Sequence, residues 1–452
     1  MNPILRKKTR LLFALCVVSL LVFLRPASAQ APAPPSTPES VAANPDVKFD
    51  FDTSLDALAS ELPGLSDLSG AARMHVDLAA PTTPGVKGVD RLVTIHCDDA
   101  RFARLPIGVV DIRLWNPAGV PRSKVTIDAR GGAGGTIHLE LELELDVDPA
   151  HAKVRWKGGA VDGKLQLAAV DLDQLTKAYP ALAMVGQLDL TATIGGRSDD
   201  PTIDVSVEAR RVKYRGQDFG LISGHWGHTA GVSTLQARWG EASAPVLSAL
   251  VKLPLTMDLL AGRYTWDDAK PMEVAVDVPS ITPKRVQAFW EAPDGLDFNL
   301  GLSVKGGGTL DTLAVRSEVK GTVKSFDSPP VPVNVTLDLG ATQQQLRVAF
   351  GQHLFDSTLT SRASLVALRR NGVRAEGAAV DGAVAMALPL ALFRPFFPSG
   401  VVDPSGTFNG NIAVGGTLGA PTFTGAVGAK SAAVTVLALH QRLENIAFAG
   451  RA

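Results

Sequence analysis

Residues that could carry out chemistry are few in this sequence, and their spacing does not bring them together. His225 and His228 are separated by two residues, an arrangement that invites comparison with a metal site. In a β-strand, however, residues three apart point to opposite faces, and no third ligand lies nearby in the sequence. We therefore interpret this segment as a strand and turn with solvated imidazole rings.

A second group, His96-Cys97-Asp98-Asp99, is also rich in metal-ligating residue types. Consecutive residues alternate in direction along a strand, so these four cannot converge on one ion without a special turn. The glycine-rich stretch 131–135 precedes a strand pattern rather than a helix, so it offers no helix N-terminus to a phosphate and is predicted to be a hairpin loop. The motifs G-x-S-x-G, H-E-x-x-H and the P-loop do not occur in the sequence. We therefore expect no enzyme activity, no metal site and no cofactor.

Composition narrows the class of protein further. The 452 residues include 43 glycines and 30 prolines but only 6% aromatic residues, which argues against one large enzyme core. The 44 Lys and Arg residues balance the 45 Asp and Glu residues, and beyond the N-terminus no basic block could neutralise a run of phosphates, so nucleic acid is not an expected partner. The hydrophobic fraction of 46% is too high for a disordered chain. A large apolar surface must therefore be buried or lined.

The N-terminus has the order of residues typical of a secretory signal. A basic segment precedes an uncharged apolar run at 11–24, and the small residues Ala27-Ser28-Ala29 follow. The apolar run is shorter than the roughly 18 residues expected of a full membrane span, which favours cleavage after Ala29 over an uncleaved signal anchor. Residues 30–46, rich in Ala and Pro, are predicted to form a tether. Once the signal is removed, Cys97 is the only cysteine, so no intramolecular disulfide can form.

From residue 47 onward, short runs alternate apolar and polar residues, which predicts strands with one apolar and one polar face. The clearest run is 138–148, in which Leu and Val alternate with Glu and Asp. Four such segments follow a glycine, at Gly70, Gly186, Gly295 and Gly406, and recur at intervals of about 110 residues. We divide the chain into a signal or anchor at 1–29, a tether at 30–46, repeat units at 47–165, 166–278 and 279–384, and a truncated fourth unit at 385–452.

A short amphipathic helix is predicted just upstream of each repeated strand. The apolar residues of these helices are Leu55, Leu58 and Leu62 in the first unit, Leu172, Leu175 and Tyr179 in the second, Val286, Phe289 and Trp290 in the third, and Leu392, Phe393, Phe396 and Phe397 in the fourth. In the third helix we expect Thr282 to act as the N-cap and Pro283 to occupy the first helical position. Because Pro395 lies inside the fourth helix, that helix must be short or kinked.

The aliphatic face of such a sheet cannot be left in water, because each exposed Leu or Ile forgoes roughly 1.5–3 kcal/mol of burial. The face must be covered by the curvature of the sheet, by the short helices or by a ligand such as an acyl chain. The residues that we expect to line it are Leu188, Leu190, Ile194, Ile203, Val205, Val207, Leu300 and Leu302. Alternation alone does not choose among these covers, and an exported structural or adhesive array of small β-sandwiches remains an alternative.

The glycine and aliphatic pattern at 406–425, together with 186–190 followed by Gly195-Gly196 and Pro201, resembles a known repeating strand motif. It is the motif of the AsmA-like superfamily, and the likeness is strongest to the TamB-type inner-membrane subunits of the translocation and assembly module of Gram-negative bacteria. The Leu-Pro-Leu strand ends at 253–255 and 388–390 are also similar to that family. The resemblance covers most of residues 47–452.

The resemblance implies a mostly β fold, an elongated and curved antiparallel sheet of repeats called a repeating β-groove or β-taco, with one short helix per repeat. It implies a periplasmic location with attachment to the inner membrane through the N-terminal segment. The groove would conduct phospholipid acyl chains between the inner and outer membranes, or assist outer-membrane protein assembly together with an outer-membrane assembly-barrel partner. The family supplies no catalytic residues.

Overall fold

The computed structural model describes most of the chain from residue 47 onward. The described ranges are 47–55, 68–79, 90–102, 105–132, 135–148, 153–241, 243–287, 289–290, 292–326, 328–352, 354–363, 375–397 and 400–451. The predicted signal and tether lie outside these ranges, as do Leu58 and Leu62 of the first predicted helix.

Within the described ranges the fold is mostly β, as predicted, and consists of an antiparallel sheet of 23 strands and a separate two-stranded hairpin. The hairpin is formed by β14 and β15. In chain order the strands are β1 (Val47–Ser54), β2 (Leu68–Ser69), β3 (Ala71–Ala79), β4 (Asp90–Phe102), β5 (Leu105–Asn116), β6 (Ser123–Gly131), β7 (Thr136–Asp148), β8 (Lys153–Asp171), β9 (Met184–Arg197), β10 (Asp200–Tyr214), β11 (Gln217–Thr229), β12 (Val232–Glu241), β13 (Ala244–Leu253), β14 (Leu255–Asp258), β15 (Arg263–Trp266), β16 (Met272–Ile281), β17 (Leu296–Gly308), β18 (Ala314–Ser325), β19 (Val331–Gly340), β20 (Gln344–Phe350), β21 (Phe355–Ser361), β22 (Val380–Pro389), β23 (Val401–Thr417), β24 (Ala420–Val436) and β25 (Gln441–Arg451).

The chain divides into two compact units. Unit 1 comprises Met1–Thr234 and Leu255–Trp266, and unit 2 comprises Leu235–Pro254 and Asp267–Ala452. In unit 1, each strand from β3 to β10 pairs with the next strand in sequence, while β1 pairs with β3 and β2 with β4. In unit 2, β13 pairs with β16, and each strand from β16 to β24 pairs with the next. This sequential order differs from the Greek-key order of most β-sandwiches, so the predicted alternative of small sandwiches is not the architecture of these units.

The pairing register collects the alternating aliphatic residues of each unit on one face, because residues directly opposite each other on antiparallel strands share a face. In unit 1, Leu190 of β9 lies opposite Leu167 of β8 and Val207 of β10. In unit 2, Leu302 of β17 lies opposite Val319 of β18, which in turn lies opposite a valine of β19. We call these the aliphatic face of unit 1 and the aliphatic face of unit 2, and the opposite sides the polar faces.

A short helix precedes the repeated strand in the second, third and fourth predicted units. Helix α1 (Leu172–Ala178) begins after Asp171, whose carboxylate accepts a 2.8 Å hydrogen bond from the backbone N–H of Asp173. Helix α2 (Pro283–Val286) is a single turn. Thr282 is its N-cap residue and Pro283 its first residue, as predicted, although the Thr282 side chain makes no capping hydrogen bond. Further helical segments of the described chain are 3-10 helices at Pro180–Leu182, Leu310–Thr312, Ala375–Gly377, Leu390–Phe396 and Leu437–Leu439. The segment Leu390–Phe396 is short and contains Pro395, as predicted.

The four glycines that mark the repeat have a common conformation. Gly70, Gly186, Gly295 and Gly406 all have positive φ angles, between 76° and 142°. At Gly406 an added Cβ would lie 2.6 Å from the backbone oxygen of Ser431, a residue of β24 that itself has a positive φ at an irregularity of the ladder. Such a backbone is accessible to glycine at little steric cost, so the repeated glycine is explained by strand geometry.

We predict that Gly406→Ala lowers the free energy of unfolding by about 1–3 kcal/mol, because alanine is strained at this φ and its Cβ would overlap the backbone of β24. Gly400→Ala is the matched control, since no atom lies within 4 Å of its added Cβ and its φ is not in the left-handed region. Urea denaturation followed by circular dichroism measures both variants. Equal midpoints for the two variants would contradict the prediction.

Candidate functional site

The structure places all the residues predicted to line an apolar groove on the aliphatic faces. In unit 1, Ile194 lies opposite Ile203, and Leu190 lies opposite Val207. Leu188 and Val205 occupy the same face of the same two strands, so the six unit 1 residues form one patch. Leu300 and Leu302 alternate with polar positions along β17 on the aliphatic face of unit 2.

In unit 1 this patch is part of a packed hydrophobic core. Leu190 is 1% exposed, Ile203 4% and Ile194 6%. Ile194 and Ile203 belong to a cluster of buried residues that also contains Leu141, Leu143, Val161, Met257 and Leu259. Leu190 belongs to a second cluster, with Leu139, Leu165 and Ala192. A ligand could reach these side chains only if the segments that cover them moved.

Two segments cover the aliphatic face of unit 1. Leu172 and Leu175 of α1 are buried in a cluster against which Leu188 also packs. At another part of the face, Met257 and Leu259 of the β14–β15 segment are each 4% exposed, and the backbone N–H of Leu259 donates a 2.7 Å hydrogen bond to the carbonyl oxygen of Ser198. The amphipathic pattern predicted α1, but nothing predicted that the β14–β15 hairpin packs on this face. Its only sequence signal was the pair Met257 and Leu259 at alternate positions after Pro254.

In unit 2 the aliphatic face is mostly half-buried. Leu300 and Leu302 are both partly exposed, and the same is true of their aliphatic neighbours Val319, Val323, Val333, Val335, Leu346 and Val348. Within the described ranges, every cluster of buried hydrophobic residues lies in unit 1. Buried residues do occur in unit 2, but they lie apart along the face, at positions such as Phe298, Val331 and Val414. Unit 2 therefore presents a broad, partly solvated aliphatic surface.

The 3-10 helix Leu390–Phe396, which we call the strap, crosses one end of the aliphatic face of unit 2. It connects β22 to β23, yet it also contacts β18. The hydroxyl of Ser325, which is 3% exposed, donates a 3.4 Å hydrogen bond to the carbonyl oxygen of Ala391. Ser325 lies opposite Leu296 in the register and thus on the aliphatic face. None of the strap residues is buried, and Phe396 is 62% exposed.

The polar face of unit 1 carries a row of directly opposed side chains that the sequence did not reveal. His96 Nδ1 lies 2.7 Å from Asp111 Oδ1, and His138 Nδ1 lies 2.7 Å from Asp128 Oδ1. Asp111 and Asp128 lie directly opposite each other on neighbouring strands, between these two pairs. Like charges in directly opposed positions destabilise a sheet. From β1 to β11 the row consists of Asp52, Arg73, His96, Asp111, Asp128, His138, Gln166, Thr191, Ser206 and His225.

The two histidines of the His225–His228 segment point to opposite faces, as predicted. His225 lies on the polar face, with Nδ1 3.2 Å from Ser206 Oγ. The expectation that both rings are solvated was wrong for His228, which is 1% exposed and lies opposite Ile203 on the aliphatic face. Its Nδ1 lies 2.9 Å from Ser233 Oγ. Burial lowers the pKa of His228, and the charge of Asp200 opposes this shift.

The second candidate ligand group is also divided between faces. Cys97 is 1% exposed and packs in the unit 1 core, whereas His96 lies on the polar face. Burial raises the pKa of the Cys97 thiol, so the reactive thiolate is disfavoured. Among the residues that the structure describes, no group of three or more His, Cys, Asp and Glu side chains is arranged to hold a metal ion.

No protein-family model, no curated protein and no solved structure matches the chain. Within the described residues, no helix has both the length and the apolar composition needed to cross a membrane.

We predict that His96 stabilises the fold at mildly acidic pH. Hydrogen bonding to Asp111, and then to Asp98, raises the pKa of His96 above its ordinary value of about 6.5. Its contribution to the free energy of unfolding is therefore fully present below about pH 6.5 and is lost as the pH rises through the raised pKa. His96→Gln should be less stable than the wild type at pH 5.5 and close to it at pH 9, as measured by urea denaturation. A difference that does not change with pH would contradict this assignment.

We predict the opposite dependence for His228. Because burial lowers its pKa in the folded state, its contribution is present above about pH 6.5 and is lost as the pH falls through the lowered pKa. His228→Gln should be less stable than the wild type at pH 8, since it disturbs a buried site. The stability difference should shrink between pH 6.5 and pH 5, and the same denaturation series measures it. A difference that grows on acidification would show that the folded state accepts a proton readily at this site.

Proposed function

We propose that the chain is a periplasmic protein that is not an enzyme and that binds phospholipid acyl chains along its aliphatic faces. In this role it takes part in phospholipid transfer between the inner and outer membranes, or in outer-membrane protein assembly with an outer-membrane barrel partner. The N-terminal segment directs export and can attach the chain to the inner membrane. The resemblance to the TamB-type members of the AsmA-like superfamily supports this proposal.

The partly solvated aliphatic face of unit 2 is the observation that carries the proposal. Its valines and leucines recur on one face from β16 to β20. Monomeric soluble proteins rarely expose contiguous apolar patches of more than a few hundred Å², and larger ones mark sites of interaction. An acyl chain suits such a face, because each methylene that leaves water contributes about 0.8 kcal/mol and no hydrogen-bonding group is needed.

The packed residues of unit 1 can also bind an acyl chain, but only if the side chains that cover them move. Leu190, Ile194 and Ile203 already contact other hydrophobic side chains. An acyl chain can contact Ile194 and Ile203 only by displacing Met257 and Leu259, which belong to the same cluster. Leu300 and Leu302 need no such displacement, so we expect lipid to contact unit 2 first.

We predict that the double variant Leu300→Glu with Leu302→Glu loses at least about tenfold in lipid binding. Two carboxylates on the aliphatic face cannot be desolvated by an acyl chain without a large cost. Mass spectrometry of lipids extracted from the purified chain, together with uptake of a fluorescent phospholipid, measures the effect.

The matched control is Thr322→Glu with Lys324→Glu. Both residues are exposed on the polar face of β18, where Thr322 lies opposite Asn299 and Lys324 opposite Asp297. These substitutions add the same side chains without entering the aliphatic face, so lipid binding should be retained. Unaltered lipid binding by the aliphatic-face variant, or a wild-type chain that carries and takes up no lipid, would refute the proposed function.

A further inference from the structure

The strap places an arginine at the end of the aliphatic face of unit 2. Arg394 is half-buried, and its guanidinium carbon lies 4.3 Å from the centre of the Phe326 ring. Phe326 follows Ser325, the aliphatic-face residue that binds the strap. Arg394 is therefore fixed where β18 and its aliphatic face end.

Arg394 forms no ion pair with a carboxylate in the described part of the chain. Its stacking on Phe326 is its one side-chain interaction there, and no described carboxylate forms an ion pair with it. Stacking leaves the N–H groups at the edge of the guanidinium plane able to donate. Many other cations of the protein do have carboxylate partners, for example Lys252 with Glu273 at 2.6 Å and Arg197 with Asp199 at 2.9 Å.

Phe326, whose ring lies under the guanidinium, has a strained backbone conformation. Phe326 has a φ of 45°, which is rare for a bulky side chain. Its backbone N–H donates a 2.6 Å hydrogen bond to the carbonyl oxygen of Gly295, and its ring occupies the space that a Cβ on Gly295 would need. In two other repeats the positive-φ residue beside the repeated glycine is Arg211 or Ser431. The third repeat thus departs from the others by a ring that supports Arg394, and such strain concentrates at functional sites.

We propose that Arg394, supported by Phe326, binds the anionic head group of an amphiphile whose acyl chain lies on the aliphatic face of unit 2. The inference rests on the proposed function and adds ligand selectivity to it. The ligand class is a single-chain or double-chain amphiphile with a phosphate or carboxylate head, since a guanidinium matches either oxyanion with two parallel hydrogen bonds. The nearby Leu296 and Val323, which lie on the aliphatic face at the same end of the strands, would contact the first methylenes of the chain.

Equilibrium binding of two oleoyl probes to the full chain tests the proposal. One probe is oleate, which carries an anionic head, and the other is mono-oleoylglycerol, which is neutral and has the same acyl chain. Wild-type protein should bind oleate about tenfold more tightly at low salt, and the preference should shrink as salt is added. Arg394→Gln should bind both probes alike, and Arg394→Lys should retain part of the preference.

The outcomes separate this proposal from the proposed function. Equal affinity of the wild type for the two probes, or an undiminished preference in Arg394→Gln, would overturn the head-group site and leave acyl-chain binding intact. Failure of the wild type to bind either probe would overturn both proposals. Inorganic phosphate alone should not displace oleate at millimolar concentration, and displacement would assign the site to a free anion instead. The wild-type comparison needs no variant, so the test stands even if Arg394→Gln fails to fold.

Discussion

The central constraint on this fold is that each strand has one aliphatic and one polar face, so the sheet has a side that water disfavours. Burial of apolar surface contributes roughly 25 cal/mol per Å² and is the dominant favourable term in folding, so covering that side is important for the stability of either unit. In unit 1, α1 and the β14–β15 hairpin each contribute side chains to a packed cluster, and two further clusters of buried residues lie on the same face. Unit 2 covers it only in part, and its valines and leucines remain half-exposed. The same strand pattern thus yields a core in one unit and a surface in the other.

Alternation and the repeated glycine were sufficient to predict the strands and the shared face, and amphipathic spacing was sufficient to predict the position of a short helix. These features are local, because side-chain direction in a strand follows from position alone and a positive φ favours glycine. The cover was not predictable in the same way. Met257 and Leu259 reach the cluster of Ile194 and Ile203 from a segment that lies 54 to 65 residues away in sequence. The residue pattern of a two-stranded hairpin specifies which of its side chains share a face, but it does not specify which surface that face will cover.

The polar face shows a similar limit. The sequence placed carboxylates on the outer side of the strands but did not show that Asp111 and Asp128 would stand opposite each other, because register is a property of strand pairs. Each of the two carboxylates has a histidine on its other side, at 2.7 Å. Imidazole N–H groups offset part of the repulsion between the carboxylates, and protonation of His96 strengthens that effect. His228, buried on the opposite face, responds to acid with the opposite sign. The pH dependence of the stability of unit 1 therefore combines two opposing contributions, from His96 on the polar face and from His228 on the aliphatic face.

The contrast between α1 and the strap is one difference in how the two units cover their aliphatic faces. Asp171 caps α1, and leucines three apart then enter the core together, as Leu172 and Leu175 do. In the strap, Pro395 prevents a regular helical turn of this kind, and the aromatic residues around it cannot share one buried face. Phe396 accordingly stays 62% exposed, and two side-chain contacts, from Ser325 to Ala391 and from Arg394 to Phe326, hold the segment to β18. The strap therefore does not pack as α1 does, and it places a cation at the end of the aliphatic face of unit 2.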